Sequence, residues 1–270
     1  SYWTLEASPH TDSYEETVER VSFLVRDAIR RQMVSDVPVC SFLSGGLDSS
    51  IVTAEAAAWM KASGGVLNTF SFDFAENDRF FQSNRFQPTR DRPYVDLLLE
   101  ELPVRHTYLE CANETLADLL PTAVRAKDLP GMTDVDASLL YFCSLVRRHN
   151  KVALTGECAD EIFGGYPWFY REDLLYADGF PWSCDLSART CLLRDSVIQA
   201  LDLEDYARQR YEDALQSVPH LPGETGEARR RREVSCLNLR WFMQTLLDRM
   251  DRASMACGLE ARVPFDDHRI

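Results

Sequence analysis

Val39-Cys40-Ser41-Phe42-Leu43-Ser44-Gly45-Gly46-Leu47-Asp48-Ser49-Ser50 is the stretch that decides the fold. The apolar run after Pro38 reads as a short buried strand, the glycine pair as a turn. The alanine-rich run Ile51-Val-Thr-Ala-Glu-Ala-Ala-Ala58 then has high helix propensity. Strand, Gly-rich turn and helix together aim backbone N–H groups and a helix N-terminus at an anion. Ser44, Gly45, Gly46 and Ser49 surround one carboxylate, Asp48, so the turn suits a polyphosphate and its metal ion. It is not a Walker A loop, which needs a lysine after its last glycine.

Upstream, Ser13-Tyr-Glu-Glu16 is a capping box, and Val18, Val21, Leu24, Val25, Ala28, Ile29 and Met33 recur at helical spacing to about Val34. Downstream, Val66–Phe74 reads as a second strand, the polar stretch 75–90 with Pro88 as a loop, and 91–102 as a helix with Pro93 in its first turn. Val104–Leu109 gives a third strand, Asn113 caps a helix to about Lys127, a helix covers 136–148, and 152–156 is a fourth strand. This alternation predicts an α/β, doubly wound, mostly parallel sheet. From Asp173 the pattern becomes helical only. Thr225 caps a long helix to about Ala256, and its apolar stretch Leu237–Leu247 predicts burial on several sides. The expected division is a nucleotide-binding core over 1–170 and a helical part over 171–270.

A second unusual turn follows the fourth strand: Leu154-Thr155-Gly156-Glu157-Cys158-Ala159-Asp160-Glu161-Ile162-Phe163-Gly164-Gly165-Tyr166. Carboxylates this close repel unless a cation or a buried partner offsets them. A hard cation such as Mg²⁺, held by one or two carboxylates and substrate phosphates, meets that need. In parallel sheets ligands bind beyond the carboxyl ends of strands, so both turns are expected to face one crevice.

Composition narrows the class. Of 270 residues 45% are apolar and 27% charged, as in ordinary globular proteins, and the net charge is −14. Such an acidic chain is ill suited to nucleic acid. There is no long apolar run and no signal-like N-terminus, which argues against secretion or membrane insertion. None of the eight cysteines has Cys-x-x-Cys spacing, and the five histidines share no metal-like spacing. A reducing cytoplasm is the expected compartment.

The first turn resembles the Ser-Gly-Gly-x-Asp-Ser loop of the ATP pyrophosphatases. Joined to Gly156-Glu-Cys-Ala-Asp-Glu-Ile-Phe-Gly-Gly-Tyr166 and to Asp251-Arg-Ala-Ser-Met255…Leu259-Glu-Ala-Arg262-Val-Pro-Phe265-Asp-Asp-His268, it resembles the synthetase domain of the glutamine-dependent asparagine synthetases, from about Tyr2 to Ile270. The resemblance implies ATP and Mg²⁺ as cofactors, aspartate and ammonia as substrates, a glutaminase domain in the full family enzyme, and the option of a homodimer. It implies that Ser44, Gly45, Gly46, Ser49 and Ser50 hold pyrophosphate and that Asp48 and Asp160 take Mg²⁺. Leu43, Phe72 and the Thr155–Gly156 backbone would flank adenosine, and Glu157 matches the catalytic glutamate. The chain opens at Ser1 without the glutaminase domain and stops at Ile270 before the family's lysine-bearing segment. The expectation is therefore a synthetase domain lacking both. Two other readings stand beside it: a nucleotide-binding fragment without turnover, and a β-lactam or lasso-peptide type of synthetase, against which Glu157 speaks.

Weaker signals follow. Arg249, Arg252 and Arg262 are candidates for aspartate or phosphate oxygens, or for ion pairs with Asp248, Asp251, Glu260 or Asp267. Arg229–Arg232 reads as a solvated helix face, and Tyr166-Pro-Trp168-Phe-Tyr170 as core rather than a ligand stack.

Overall fold

The structure, a computed structural model, describes residues 3–83, 89–129, 131–183 and 185–270. Tyr2, Pro88 and Cys184 lie outside the described residues. The first half runs α1 (Tyr14–Gln32), β1 (Val39–Phe42), α2 (Leu47–Ala62), β2 (Leu67–Phe74), α3 (Asn77–Phe80), α4 (Arg92–Glu101), β3 (Val104–Cys111), α5 (Asn113–Lys127), α6 (Thr133–Val146) and β4 (Val152–Leu154). The second half runs α7 (Ala159–Phe163), α8 (Glu172–Leu175), α9 (Ser187–Thr190), α10 (Asp195–Leu201), α11 (Leu203–Gln216), α12 (Gly226–Leu237), α13 (Gln244–Ala256) and β5 (Glu260–Arg262).

Contacts divide the chain into two compact units, Ser13–Cys158 with Leu246–Ile270, and Ser1–Asp12 with Ala159–Thr245. The first carries a five-stranded, all-parallel sheet in the order β3-β2-β1-β4-β5. From β1 the chain builds outward through β2 and β3, then returns to the other flank of β1 with β4. The direction of winding thus reverses between β1 and β4, the position at which sheets of this kind place a ligand crevice. Continuous burial of β4 and near-continuous burial of β1 reflect a parallel sheet covered on both faces. Cys40, Phe70, Phe142, Cys143, Val146, Ala153 and Leu259 form one cluster of this core.

Most elements form where the sequence places them, and the exceptions have local causes. The capping box at α1 is complete, with Glu16 N–H donating to Ser13 Oγ and Ser13 N–H to Glu16 Oε2 at 2.8 Å. Asn113 is the first residue of α5 rather than its cap, a position taken by Ala112. The stretch expected to be loop contains α3, which follows Glu76 in a left-handed conformation (φ 59°). The C-terminal part is not helical only. β5 pairs with β4, and Arg262 Nη1 donates to the carbonyls of Gln32 (2.5 Å) and Val34 (2.7 Å) beyond α1.

The helix expected over 225–256 is broken by a π-helical stretch, Asn238–Met243. The wider turn shifts the side-chain phase, so Leu237 and Asn238 are buried while Trp241, Gln244 and Thr245 are exposed. Burial on several sides is therefore not what this run does. In the second unit Trp168, Phe169, Leu175 and Val234 make the core, and the Tyr166 and Trp168 rings stack at 4.4 Å. Arg230 corrects the solvated-face expectation: it is buried and donates to Leu175 O (2.6 Å), Ala177 O (2.9 Å) and Tyr211 Oη (2.9 Å). Arg229 and Arg231 on α12 do face solvent with i,i+4 glutamate partners.

No helix among the described residues is long and apolar enough to cross a membrane. The described cysteines are all free; Cys40, Cys111, Cys143, Cys158 and Cys236 are buried.

Leu259 is fully buried in the sheet core. Leu259→Ala should cost about 2–5 kcal/mol in urea unfolding. Asp267 accepts three hydrogen bonds from Arg269, two from its guanidinium and one from its backbone N–H, and Arg269 also donates to Asp27 on α1. The Arg269 guanidinium holds the Asp267 carboxyl down at about 2. A depressed folded-state pKa stabilises above the ordinary carboxylate range and loses that contribution as pH falls toward 2. Asp267→Asn should thus cost roughly 1–2 kcal/mol at pH 7, with the difference from the parent closing between about pH 4 and 2.

Candidate active site

Leu43 follows β1 and is fully buried, its N–H donating to Phe70 O at 2.9 Å and its carbonyl accepting from Ser71 Oγ. The chain then turns through Gly45, whose φ of +83° disfavours any side chain. A Cβ there would lie 2.9 Å from Asp91 O and 3.0 Å from Tyr94 Cβ, so the turn is pressed against the start of α4. Gly46 caps α2 without a side-chain bond, and Asp48 sits in the first helical turn. The hydroxyls brace the loop itself. Ser44 Oγ and Ser49 Oγ lie 2.9 Å apart, Ser49 Oγ donates to Gly46 O at 3.2 Å, and Ser50 Oγ donates to the same carbonyl at 2.6 Å. A rigid, side-chain-uncapped helix start is what an anion needs.

The turn after β4 closes on this loop. A Cβ on Gly156 would lie 2.6 Å from Ser49 N and 3.0 Å from Asp48 C, so only glycine allows the two backbones to meet. Thr155 N–H donates to Arg262 O, and Thr155 Oγ1 accepts from Glu157 N–H, both at 2.9 Å. Cys158 follows in a left-handed conformation (φ 73°) although it is not glycine, a strained position of the kind found at functional turns. Glu157 receives Arg249 Nη2 on Oε1 at 3.4 Å, both side chains being largely buried. The nearby Cys143 thiol is pushed up by burial, with Cys257 and the Glu157 carboxylate adding to it.

Beside the loop lies a cavity of about 240 Å³ lined by Phe42, Leu43, Phe70, Phe72, Val95 and Phe142, with Ser44, Ser71, Asp73, Asn77, Asp91, Arg92 and Tyr108 at its polar parts. Phe142 packs against Phe42 and Phe72 at centroid distances of 4.6 and 5.6 Å. An apolar slot joined to convergent polar groups suits a flat, heteroaromatic ligand. The structure thus brings together Leu43, Ser44, Gly45, Gly46, Asp48, Ser49, Ser50, Phe72, Thr155, Gly156 and Glu157 in one unit.

Asp160 belongs to the second unit, on α7. Its carbonyl accepts the N–H groups of Gly164 and Gly165 at 3.0 Å each, and burial pushes its carboxyl above the usual carboxylate range. A Cβ on Gly165 would fall 1.8 Å from Asp160 Oδ1, so the glycine pair exists to let the chain fold back over this carboxylate. Glu161 is structural: it is buried, accepts Tyr166 Oη–H at 2.5 Å, and its carbonyl accepts from Asn238 Nδ2 at 3.0 Å. Among the described residues no group of three or more His, Cys, Asp or Glu could hold a metal ion alone. Mg²⁺ takes substrate phosphates and water for most of its ligands, so a single carboxylate such as Asp48 fits its needs.

Of the other arginines, Arg252 pairs with Asp248 at 2.6 Å and Arg262 with Glu260 at 2.7 Å. Sequence reasoning did not foresee Arg249 on Glu157, because their 92-residue separation leaves no local signal. The pocket residues Asp73, Asn77, Arg92 and Tyr108 were missed for the same reason.

Over residues 20–270 the chain matches the family described as asparagine synthase. It is 49% identical over all of its 270 residues to asparagine synthetase [glutamine-hydrolyzing] 3 of Bacillus subtilis, of which it covers 44%. It is 35% identical over 175 residues, 64% of this chain, to asparagine synthetase [glutamine-hydrolyzing] 1 of the same organism, covering 25% of that protein. Over 197 residues, 67% of this chain, it is 30% identical to amidase chyE of Penicillium rubens, covering 28% of it. The chain spans less than half the length of these relatives.

Gly156→Ala should force the β4 turn away from α2, seen as shifted backbone amide resonances of Asp48 and Ser49 in NMR spectra. Circular dichroism should show the fold retained.

Proposed function

This chain belongs to the asparagine synthase family, and from that premise we propose that it is an ATP-dependent amide ligase acting on aspartate. The β-carboxylate attacks the α-phosphorus of ATP, pyrophosphate leaves, and ammonia then displaces AMP from the β-aspartyl-AMP to give asparagine. The observation that carries this reading is the joined pair of turns at the β1 and β4 ends, with an aromatic-lined cavity beside them.

In this reading Leu43 and Phe72 take the adenine, with the Thr155–Gly156 backbone along the nucleoside. The backbone of Ser44–Ser50 receives the pyrophosphate, where the N-terminus of α2 stabilises charge growing on the leaving group. Asp48 is assigned to Mg²⁺, which when bound neutralises phosphate charge. Asp160 is assigned to Mg²⁺ on its motif alone. Glu157 is assigned the general base that accepts a proton from the attacking nitrogen. Ammonia derived from glutamine is proposed by analogy with the relatives' names, which describe glutamine-hydrolysing enzymes.

The test is pyrophosphate release from ATP and Mg²⁺ with aspartate and ammonium present. Release should depend on aspartate and fall at least about 100-fold in Asp48→Ala. ATP binding without aspartate-dependent release would remove the ligase reading for this chain.

A further inference from the structure

Arg249 has two ends, and only one meets Glu157. Its Nε is buried with no hydrogen-bond partner in the protein. Arg249 lines a small cavity of about 10 Å³ together with Lys127, Asp136, Leu140 and Arg252. Asp136 is in the same position. Its Oδ2 lies 3.9 Å from Lys127 Nζ, while its Oδ1 is buried and has no partner in the protein. One acceptor and one donor, each buried, thus belong to two residues that line a space about the size of one water molecule. Leaving both unsatisfied is costly, and a single water that accepts from Arg249 Nε–H and donates to Asp136 Oδ1 satisfies both.

The surroundings hold this arrangement in place. A Cβ on Gly131 would lie 1.9 Å from Asp136 Oδ2 and 2.9 Å from Lys127 Cδ, so a glycine lets the backbone close over the pair. Arg252 Nη1 donates to Lys127 O at 3.0 Å and tethers the end of α5 to α13, while its Nε is taken by Asp248. Arg252 is therefore occupied, and Arg249 is the cation left to carry a contact between Asp136 on α6 and the turn after β4.

We propose that Asp136 is a positioning residue: through one buried water it fixes Arg249, and Arg249 fixes the Glu157 carboxylate. The catalytic meaning of this chain of contacts rests on the role assigned above to Glu157. The contacts themselves do not.

Two experiments test it. A crystal structure of this chain that resolves solvent should show one water within about 3.2 Å of both Asp136 Oδ1 and Arg249 Nε. A dry cavity, or Arg249 turned away from it, overturns the link. In kinetics, Asp136→Asn should lower asparagine formation from ammonium about tenfold. Single-turnover, aspartate-dependent pyrophosphate release and the affinity for ATP should stay within about twofold, because Glu157 serves the second step. Should Asp136→Asn fail to fold with Lys127 left alone, Lys127→Met/Asp136→Leu removes both charges and should give the same split. An equal fall in both steps, or no fall in either, overturns the positioning role. If the parent chain releases no pyrophosphate, the ligase reading fails while the crystallographic result still decides the link.

Discussion

The approach of Gly156 to the Ser49 N–H is the contact on which the geometry of the two turns depends. It is a backbone-on-backbone contact, and a single methyl group would separate the two segments. For it to form, β4 must lie directly beside β1 in register, as the Val39–Val152 and Ser41–Leu154 pairs provide. Loop and helix start must also carry no bulk, as Gly45 and Gly46 provide. Burial of Val152, Ala153 and Leu154 then fixes β4 against sliding, since a one-residue slip would push these side chains out of their core positions. Core packing and the geometry of the two turns are one constraint seen from two ends.

The second unit uses the same device with different chemistry. Gly164 and Gly165 admit a backbone over Asp160 that no side chain would allow, and the carboxylate is left partly desolvated. Glu161, one residue on, is fully engaged by Tyr166 and Asn238. Adjacent acids therefore take opposite tasks. One is anchored in the structure, and the other keeps an environment in which a positive charge would be favourable.

Much of this was legible in the sequence. Ser13-Tyr-Glu-Glu16, the apolar strands and the glycine pairs act through neighbours a few residues away, and such signals survive in one dimension. β5 did not show itself, because Glu260-Ala-Arg262 is a short, charged edge strand held by β4 and by Arg262 reaching back past α1. Arg230 looked solvated beside three other arginines, yet carbonyls 53 and 55 residues away bury it. The π-helical stretch at Asn238–Met243 likewise has no composition that announces it. The loop motifs could be read residue by residue. Their partners could not, because those come from folding.

Cys158 shows how the two kinds of information meet. A left-handed turn after β4 would be easiest for glycine, and a non-glycine residue there costs on the order of 1–3 kcal/mol. The thiol is nevertheless almost fully buried, so its side chain fills space in the core. Glycine would relieve the strain and leave a void, while a residue with ordinary backbone preferences would redirect Glu157 away from Arg249. The turn therefore settles on a small apolar side chain held in an unfavourable conformation. Packing of the buried thiol on one side and the Glu157–Arg249 pair on the other flank this strained residue.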